Sequence, residues 1–540
     1  MRNKHMDIII KNGIVVDGTG RKRTAADVGI CKERIVAIGE LDARGTPKII
    51  DARGGVICPG FIDTHSHSDL ALLVDPFVPA KIRQGITTEI LGQDGIAMAP
   101  LPISYITSWR KNLVGLSGDS DDIDWTYETT RGYLHLMEKK GLAPNAGYLV
   151  PHGNVRMEAM GLADRTAGKK DLTAMIAILE REMDAGAFGL STGLIYIPCA
   201  YADTRELIEL CRVVARRNGV FVIHQRSEAD GILPSMEEVF RIGRESGVKI
   251  HFSHMKVCGR KNWDKLPRIF EMLDRAAKEG ISVSFDQYPY VAGSTMLGAI
   301  LPPWAHDGGT ERLLERLQDK ALRRDMIRDI QADTGDWDNF VAFAGLDGIF
   351  ITSIRTSENR QFIGKNLLQL GKITGKDPYE AVLDLLLEEE NAVGMLDFYG
   401  KEDHLIQFLK RPEMNVCTDG LLGGKPHPRV FGAFPRVLSQ YVRQEKILTL
   451  EQAVHKMTGK PAEVFAIGDR GILKPGNFAD IVVFDPDTIC DRGTYQEPDQ
   501  FPDGISHVMV NGRLVFEDGH QNRSLPGKVL RHPGPSPVAL

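Results

Sequence analysis

Eight short apolar runs recur through the middle of the chain: GVICPGFID (55–63), TTEILG (87–92), AGYLV (146–150), GAFGLST (186–192), GVFVIH (219–224), KIHFSH (249–254), ISVSFDQ (281–287) and MNVCTD (414–419). Apolar runs of this length, bounded by Gly, Pro or polar residues, read as strands. Amphipathic stretches lie between many of them. TRELIELCRVVARRNG (204–219) and LPRIFEMLDRAAKEG (266–280) each end in a basic turn followed by Gly, a normal helix stop. Strands alternating with helices imply a parallel sheet. Eight of them imply an α/β fold of the (β/α)8, TIM-like barrel type, with a doubly wound open sheet as the competing arrangement.

The two ends of the chain read differently. DIIIKNGIVVDG, DVGICKERIVAIG and PKIIDARGGVICPG at the start, and RGILKPGNFADIVVFDP and HVMVNGRLVFEDG at the end, are β-branched runs broken by Asn-Gly, Gly or Pro. The expectation is one small β-sandwich domain built from residues 1–60 and 465–540, around a barrel of residues 61–464. The stretch 290–350 is too long for one connection and is expected to be an insertion, or lid, after the seventh strand. The tail after Gly519 is expected to be extended or poorly ordered.

Composition bounds the partners. Of 540 residues 42% are hydrophobic and 26% charged, and the net charge is −6. No basic cluster outruns its acidic neighbours, so neither nucleic acid nor a membrane surface is implied; a small-molecule substrate is the expected partner. No apolar stretch reaches the length of a membrane span, and the apolar run near the start is too short for a signal peptide. Seven scattered cysteines without a CxxC pair fit a reducing compartment, with the cytoplasm as the expectation.

The strand ends carry the chemistry. His65 and His67, two apart in GFIDTHSHSD, share one face at the end of the first barrel strand. His224, His254 and Asp419 close the fifth, sixth and eighth runs. In a barrel these ends converge on one opening. Four imidazoles and a carboxylate there suit a borderline cation such as zinc, which acidifies water and polarises an amide carbonyl.

This pattern resembles the amidohydrolase superfamily. The segments GLSTGLIYIP, SHMK, DQYPYVAGST, TDG and HPRVFGAFPRVLSQYVR resemble the D-aminoacylases, the N-acyl-D-amino-acid deacylases. The resemblance spans nearly the whole chain. It implies hydrolysis of a linear amide to a D-amino acid and a carboxylate, with one or two zinc ions per chain. Asp419 would be the catalytic acid–base group. A tighter metal site would use Asp94, His224 and His254, and a looser one His65, His67 and Asp419. The fourth strand lacks the Lys that bridges metals in many amidohydrolases. In Gly92-Gln93-Asp94-Gly95, Asp94 stands where the resembled family has a metal-binding Cys, with Glu89 as a rival ligand. Oxygen is harder than sulfur, which bears on metal affinity and identity.

The same resemblance assigns Lys256, Tyr196, Tyr288 and Ser294 to the substrate carboxylate. His152 could line the site or be a core or cap residue. Arg429 could meet an anion or pair with an acid. The segment TMLGAILPPW (295–304), expected at the side-chain pocket, has no cation, so apolar side chains such as methionine, leucine or phenylalanine are expected. Alternatives on the same scaffold are a cyclic-amide or D-dipeptide hydrolase and, more remotely, a non-catalytic assembly protein.

Overall fold

The computed structural model describes residues 5–43 and 47–534. Eight parallel strands alternate with helices: Phe61–Asp63, Ile86–Leu91, Asn145–Tyr148 continuing at Val150–Pro151, Gly189–Gly193, Val220–His224, Lys249–Phe252, Val283–Gln287 and Met414–Val416. Each pairs with the next in parallel register. A parallel bridge from Ser66 to Gly420, with Asp419 N–H donating to His65 O at 2.8 Å, closes the eighth strand onto the first. The result is the expected (β/α)8 barrel. GVICPGFID divides within itself: Val56–Pro59 belongs to the terminal sheet and Phe61–Asp63 to the barrel.

The helices follow from their sequences. Thr204–Arg216 begins where the Asp203 side chain accepts from Glu206 N–H, one of the amides a helix start leaves open. It buries Leu207, Ile208, Leu210, Cys211, Val213 and Val214. Each fully buried side chain of this size contributes roughly 1.5–3 kcal/mol. Asn218, at φ 57°, turns the chain into the fifth strand. Leu266–Lys278 has Pro in its first turn and stops before Gly280, at φ 78°.

The chain ends share one nine-stranded sheet. It holds Ile8–Val15, Thr24–Cys31, Arg34–Gly39, Lys48–Asp51 and Val56–Pro59 with Ile481–Phe484, Ile505–Val510, Arg513–Glu517 and His520–Gln521. Its core of Val28, Ile30, Ile35, Ile50, Ile57, Ile481 and Met509 is separate from that of the barrel. Past Gly519 the chain is extended and anchored: Ala146 N–H donates to Lys528 O and Leu530 N–H to Ala146 O, beside the third barrel strand. Residues 535–540 of the tail lie outside the described residues.

The insertion after the seventh strand runs beyond the expected 290–350. Val393–Phe398 is the middle strand of an antiparallel sheet, between Ala292–Met296 and Ile349–Ile354, so this lobe extends to Phe398. It has its own core, including Leu297, Ile300, Leu313, Met326, Leu386 and Met395. Its sheet and the short helix Phe340–Ala344 roof the C-terminal mouth of the barrel.

Candidate metal centre and substrate cavity

Six buried side chains converge on that mouth. His65 Nε2 lies 3.5 Å from Asp94 Oδ2 and 3.6 Å from Asp419 Oδ1. His67 Nε2 lies 3.4 Å and 3.3 Å from the same two atoms. His254 Nε2 is 3.8 Å from Asp94 Oδ1 and 3.0 Å from His224 Nδ1. Their donor atoms form three overlapping groups: His65, His67 and Asp419; His65, Asp94 and His254; His224, Glu228 and His254.

Apart from the hydrogen bond between His224 Nδ1 and His254 Nε2, none of these contacts is a hydrogen bond. His65 Nδ1 and Nε2, His67 Nε2, Asp94 Oδ1 and His224 Nε2 are buried without a hydrogen-bond partner. Buried polar atoms are nearly always paired, so orphans on four neighbouring side chains need a further partner. Donors about 2.1 Å from a tetrahedral zinc ion stand roughly 3.4 Å apart, which is the spacing of His65 and His67 from the two carboxylates. Imidazole and carboxylate donors suit the same ion. The residues fit a metal.

The local electrostatics agree. Burial alone would push His67 down, but Asp419 and Asp94 hold it up at about 9. The field that favours an imidazolium there favours a cation. His224 is pushed down by burial to about 4 and is neutral, the form that ligates.

Backbone strain marks the same places. Asp94, His254 and Asp419 have φ of 56°, 34° and 47°, a left-handed region uncommon for non-glycine residues and frequent at functional sites. Asp94 is flanked by Gly92 and Gly95. A Cβ at Gly92 would stand 2.2 Å from Leu149 O and one at Gly95 2.7 Å from Cys199 Sγ, so the turn seats only with glycine there.

Supporting side chains lock the strand ends. Lys81, fully buried, donates to Asp63 Oδ2 at 2.7 Å, Ser66 Oγ at 2.8 Å and Thr418 Oγ1 at 2.7 Å. Asp63 also accepts from Thr418 N–H at 2.8 Å, tying the first strand to the eighth. Asp286 accepts from His254 N–H at 2.6 Å and from Thr64 Oγ1 at 3.0 Å, and its Oδ2 lies 2.9 Å from His251 Nε2. Arg429 Nη1 lies 2.8 Å from Asp419 Oδ2.

Beside the donors lies a cavity of about 40 Å³, and Tyr196, Lys256, Tyr288 and Ser294 all line it. Lys256 Nζ is 2.7 Å from Glu228 Oε2. Tyr288 accepts from Tyr399 OH at 2.8 Å, and Tyr196 OH is 2.9 Å from Thr295 Oγ1. Ser294 donates to Met395 O at 2.9 Å. A space of this size holds only a few waters. A second cavity of about 340 Å³ shares Leu116 and Ser294 with it.

Other sequence expectations land elsewhere. Glu89 Oε2 accepts from Ser66 Oγ and Ser68 Oγ at 2.6 and 2.7 Å and lies 3.3 Å from Lys81 Nζ. His152 sits in a separate buried network, with Nε2 2.7 Å from Glu206 and Nδ1 2.8 Å from Thr192 Oγ1. Of TMLGAILPPW, Thr295 reaches the cavity, whereas Leu297, Ile300 and Leu301 pack in the core of the inserted lobe. The apolar wall comes instead from Leu116, Ile195, Phe340 and Phe343. Three acids that the sequence reading missed also line the cavity: Glu228, Asp338 and Asp397. Glu228, one helical turn's spacing after His224 in HQRSE, carried a readable signal. Asp338 and Asp397 sit within a lobe that has no motif of its own.

A barrel mouth lined this way belongs to the metal-assisted hydrolases. The model described as Amidohydrolase family matches residues 48–516, and the chain belongs to that family. It is 35% identical to an N-acyl-D-glutamate deacylase of Alcaligenes xylosoxydans xylosoxydans, over 97% of this chain and 96% of the relative. A D-aminoacylase of the same organism is 34% identical, over 97% of both chains. The crystal structure of N-acyl-D-glutamate deacylase from Bordetella bronchiseptica, with zinc and a phosphonate mimic of the tetrahedral intermediate, superposes with a TM-score of 0.83 at 34% identity, covering 98% of this chain and 100% of that one.

Proposed function

We propose that this protein is a zinc-dependent N-acyl-D-amino-acid deacylase, which hydrolyses a linear amide to a free D-amino acid and a carboxylate. The observation that carries this is the convergence of unpartnered imidazole and carboxylate atoms beside a cavity containing Lys256. The deacylase relatives match over nearly their full length. One or two zinc ions held by His65, His67, Asp94, His224, His254 and Asp419 would supply Lewis acidity toward the amide carbonyl and acidify water.

In this reading Asp419 accepts the proton of the attacking water and returns it to the leaving nitrogen. Burial works against its charge, but Arg429 and His65 hold it well below the usual carboxylate range, so it is ionised and ready to accept. Lys256, Tyr196, Tyr288 and Ser294 take the substrate carboxylate. Leu116, Ile195, Phe340 and Phe343 favour a side chain with an apolar body. We place the reaction in the cytoplasm: all seven cysteines are free, five of them buried. Among the described residues no helix is long and apolar enough to cross a membrane.

The test is hydrolysis of N-acetyl-D-methionine against N-acetyl-L-methionine with added zinc. Rapid, D-selective release of methionine is expected. L-selective turnover overturns the reading, as does turnover of neither enantiomer when N-acetyl-D-lysine and N-acetyl-D-glutamate are also left intact.

A further inference from the structure

The charges of the cavity do not balance. Lys256 is paired with Glu228 at 2.7 Å, and nearby Arg429 with Asp419 at 2.8 Å. Asp338 is satisfied by Ser227 Oγ at 2.6 Å and Glu228 N–H at 2.7 Å. Asp397 is different. It is 2% exposed, it lines the cavity, and no other described residue donates a hydrogen bond to its carboxylate or pairs with it.

Its position is built. Asp397 lies on the middle strand of the inserted sheet, directly opposite Gly293. A Cβ at 293 would stand 2.9 Å from Asp397 Oδ1, so glycine leaves room for the carboxylate on the cavity wall. A buried carboxylate held by little beyond its own backbone N–H is costly, and a cation there would relieve that cost.

We propose that Asp397 selects the substrate side chain, and that the preferred N-acyl-D-amino acids carry a cationic one, as in D-lysine, D-ornithine or D-arginine. This rests on the deacylase reading above. The aliphatic stem of such a side chain matches the apolar wall, and its charged end matches the carboxylate. An anionic side chain would meet Asp397 as a like charge. Burial pushes Asp397 up to about 7, against the pull of Lys256 and Arg429. The assay therefore belongs at pH 8, where the group is ionised.

The experiment compares kcat/KM for N-acetyl-D-lysine, N-acetyl-D-norleucine and N-acetyl-D-glutamate, on the zinc-loaded full chain and on D397N. Lysine is expected to exceed norleucine at least tenfold and glutamate at least a hundredfold, and the lysine-to-norleucine ratio to fall at least tenfold in D397N. Wild-type preference for norleucine or glutamate overturns the cationic preference while leaving the deacylase reading standing. An unchanged ratio in D397N overturns the role of Asp397. Turnover of none of the three overturns the deacylase reading, and this inference with it. The wild-type ranking decides the substrate class even if D397N fails to fold.

Discussion

Asp94 occupies a left-handed turn between two glycines, with one carboxylate oxygen near His65 and His67 and the other near His254. On the proposed ligand set that makes it the hinge of the donors, offering oxygen where the resemblance implies a metal-binding sulfur. Thiolate is the softer ligand and holds zinc more tightly. After dialysis against a chelator, D94C is expected to retain more zinc than wild type. D94A is expected to lose at least about tenfold in zinc affinity. Metal content measured by mass spectrometry decides it: zinc retention in D94A equal to wild type would remove Asp94 from the ligand set. Lys256 gives the complementary lesson. Its ammonium lies against Glu228, so a substrate carboxylate must compete with a built-in partner.

The first barrel strand is three residues long, yet it aims His65 and His67. Its rigidity comes from Lys81, on the short helix Pro79–Ile82, whose ammonium joins Asp63, Ser66 and Thr418. Burial works to discharge Lys81, but Asp63 and Glu89 outweigh it and raise its pKa. Replacing the lysine by methionine fills the space and leaves both carboxylates buried without their cation. Breaking a buried pair in this way costs about 3–5 kcal/mol. K81M should therefore unfold at a markedly lower urea concentration than wild type, and an unchanged midpoint would show that the cluster has another source of compensation. The inserted lobe acts at the same scale. Asp338 accepts from Ser227 and Glu228 in the segment after the fifth strand, which latches the roof beside His224.

For the molecule as a whole, pH bears on stability through groups far from the mouth. Lys456 is buried on the helix Leu450–Met457 and donates to Arg411 O. Burial pushes it down from its ordinary 10.5 to about 8, with Glu413 opposing. The folded value lies below the unfolded one, so the penalty for burying the charge is complete below pH 8 and fades as pH rises toward 10.5. Wild type should gain about 1.4 kcal/mol relative to K456M between pH 7 and pH 9. Denaturant unfolding at the two pH values checks this, and a pH-independent difference would refute it. The same contrast of near and far explains what was legible. Strand and helix periods, and the spacing of His65, His67, His224, His254 and Asp419 at the ends of apolar runs, are local properties. The sequence by itself therefore determined the eight strand–helix units, their barrel and the side chains that converge at its mouth. It could not determine that Lys256 meets Glu228, that Arg429 meets Asp419, or that the lobe reaching to Phe398 brings Asp338 and Asp397 onto the cavity. Lys256 and Glu228 lie 28 positions apart, and Asp338 lies 110 positions from the Glu228 amide it accepts from. Barrel closure and lobe packing create these contacts, and no local pattern records either event.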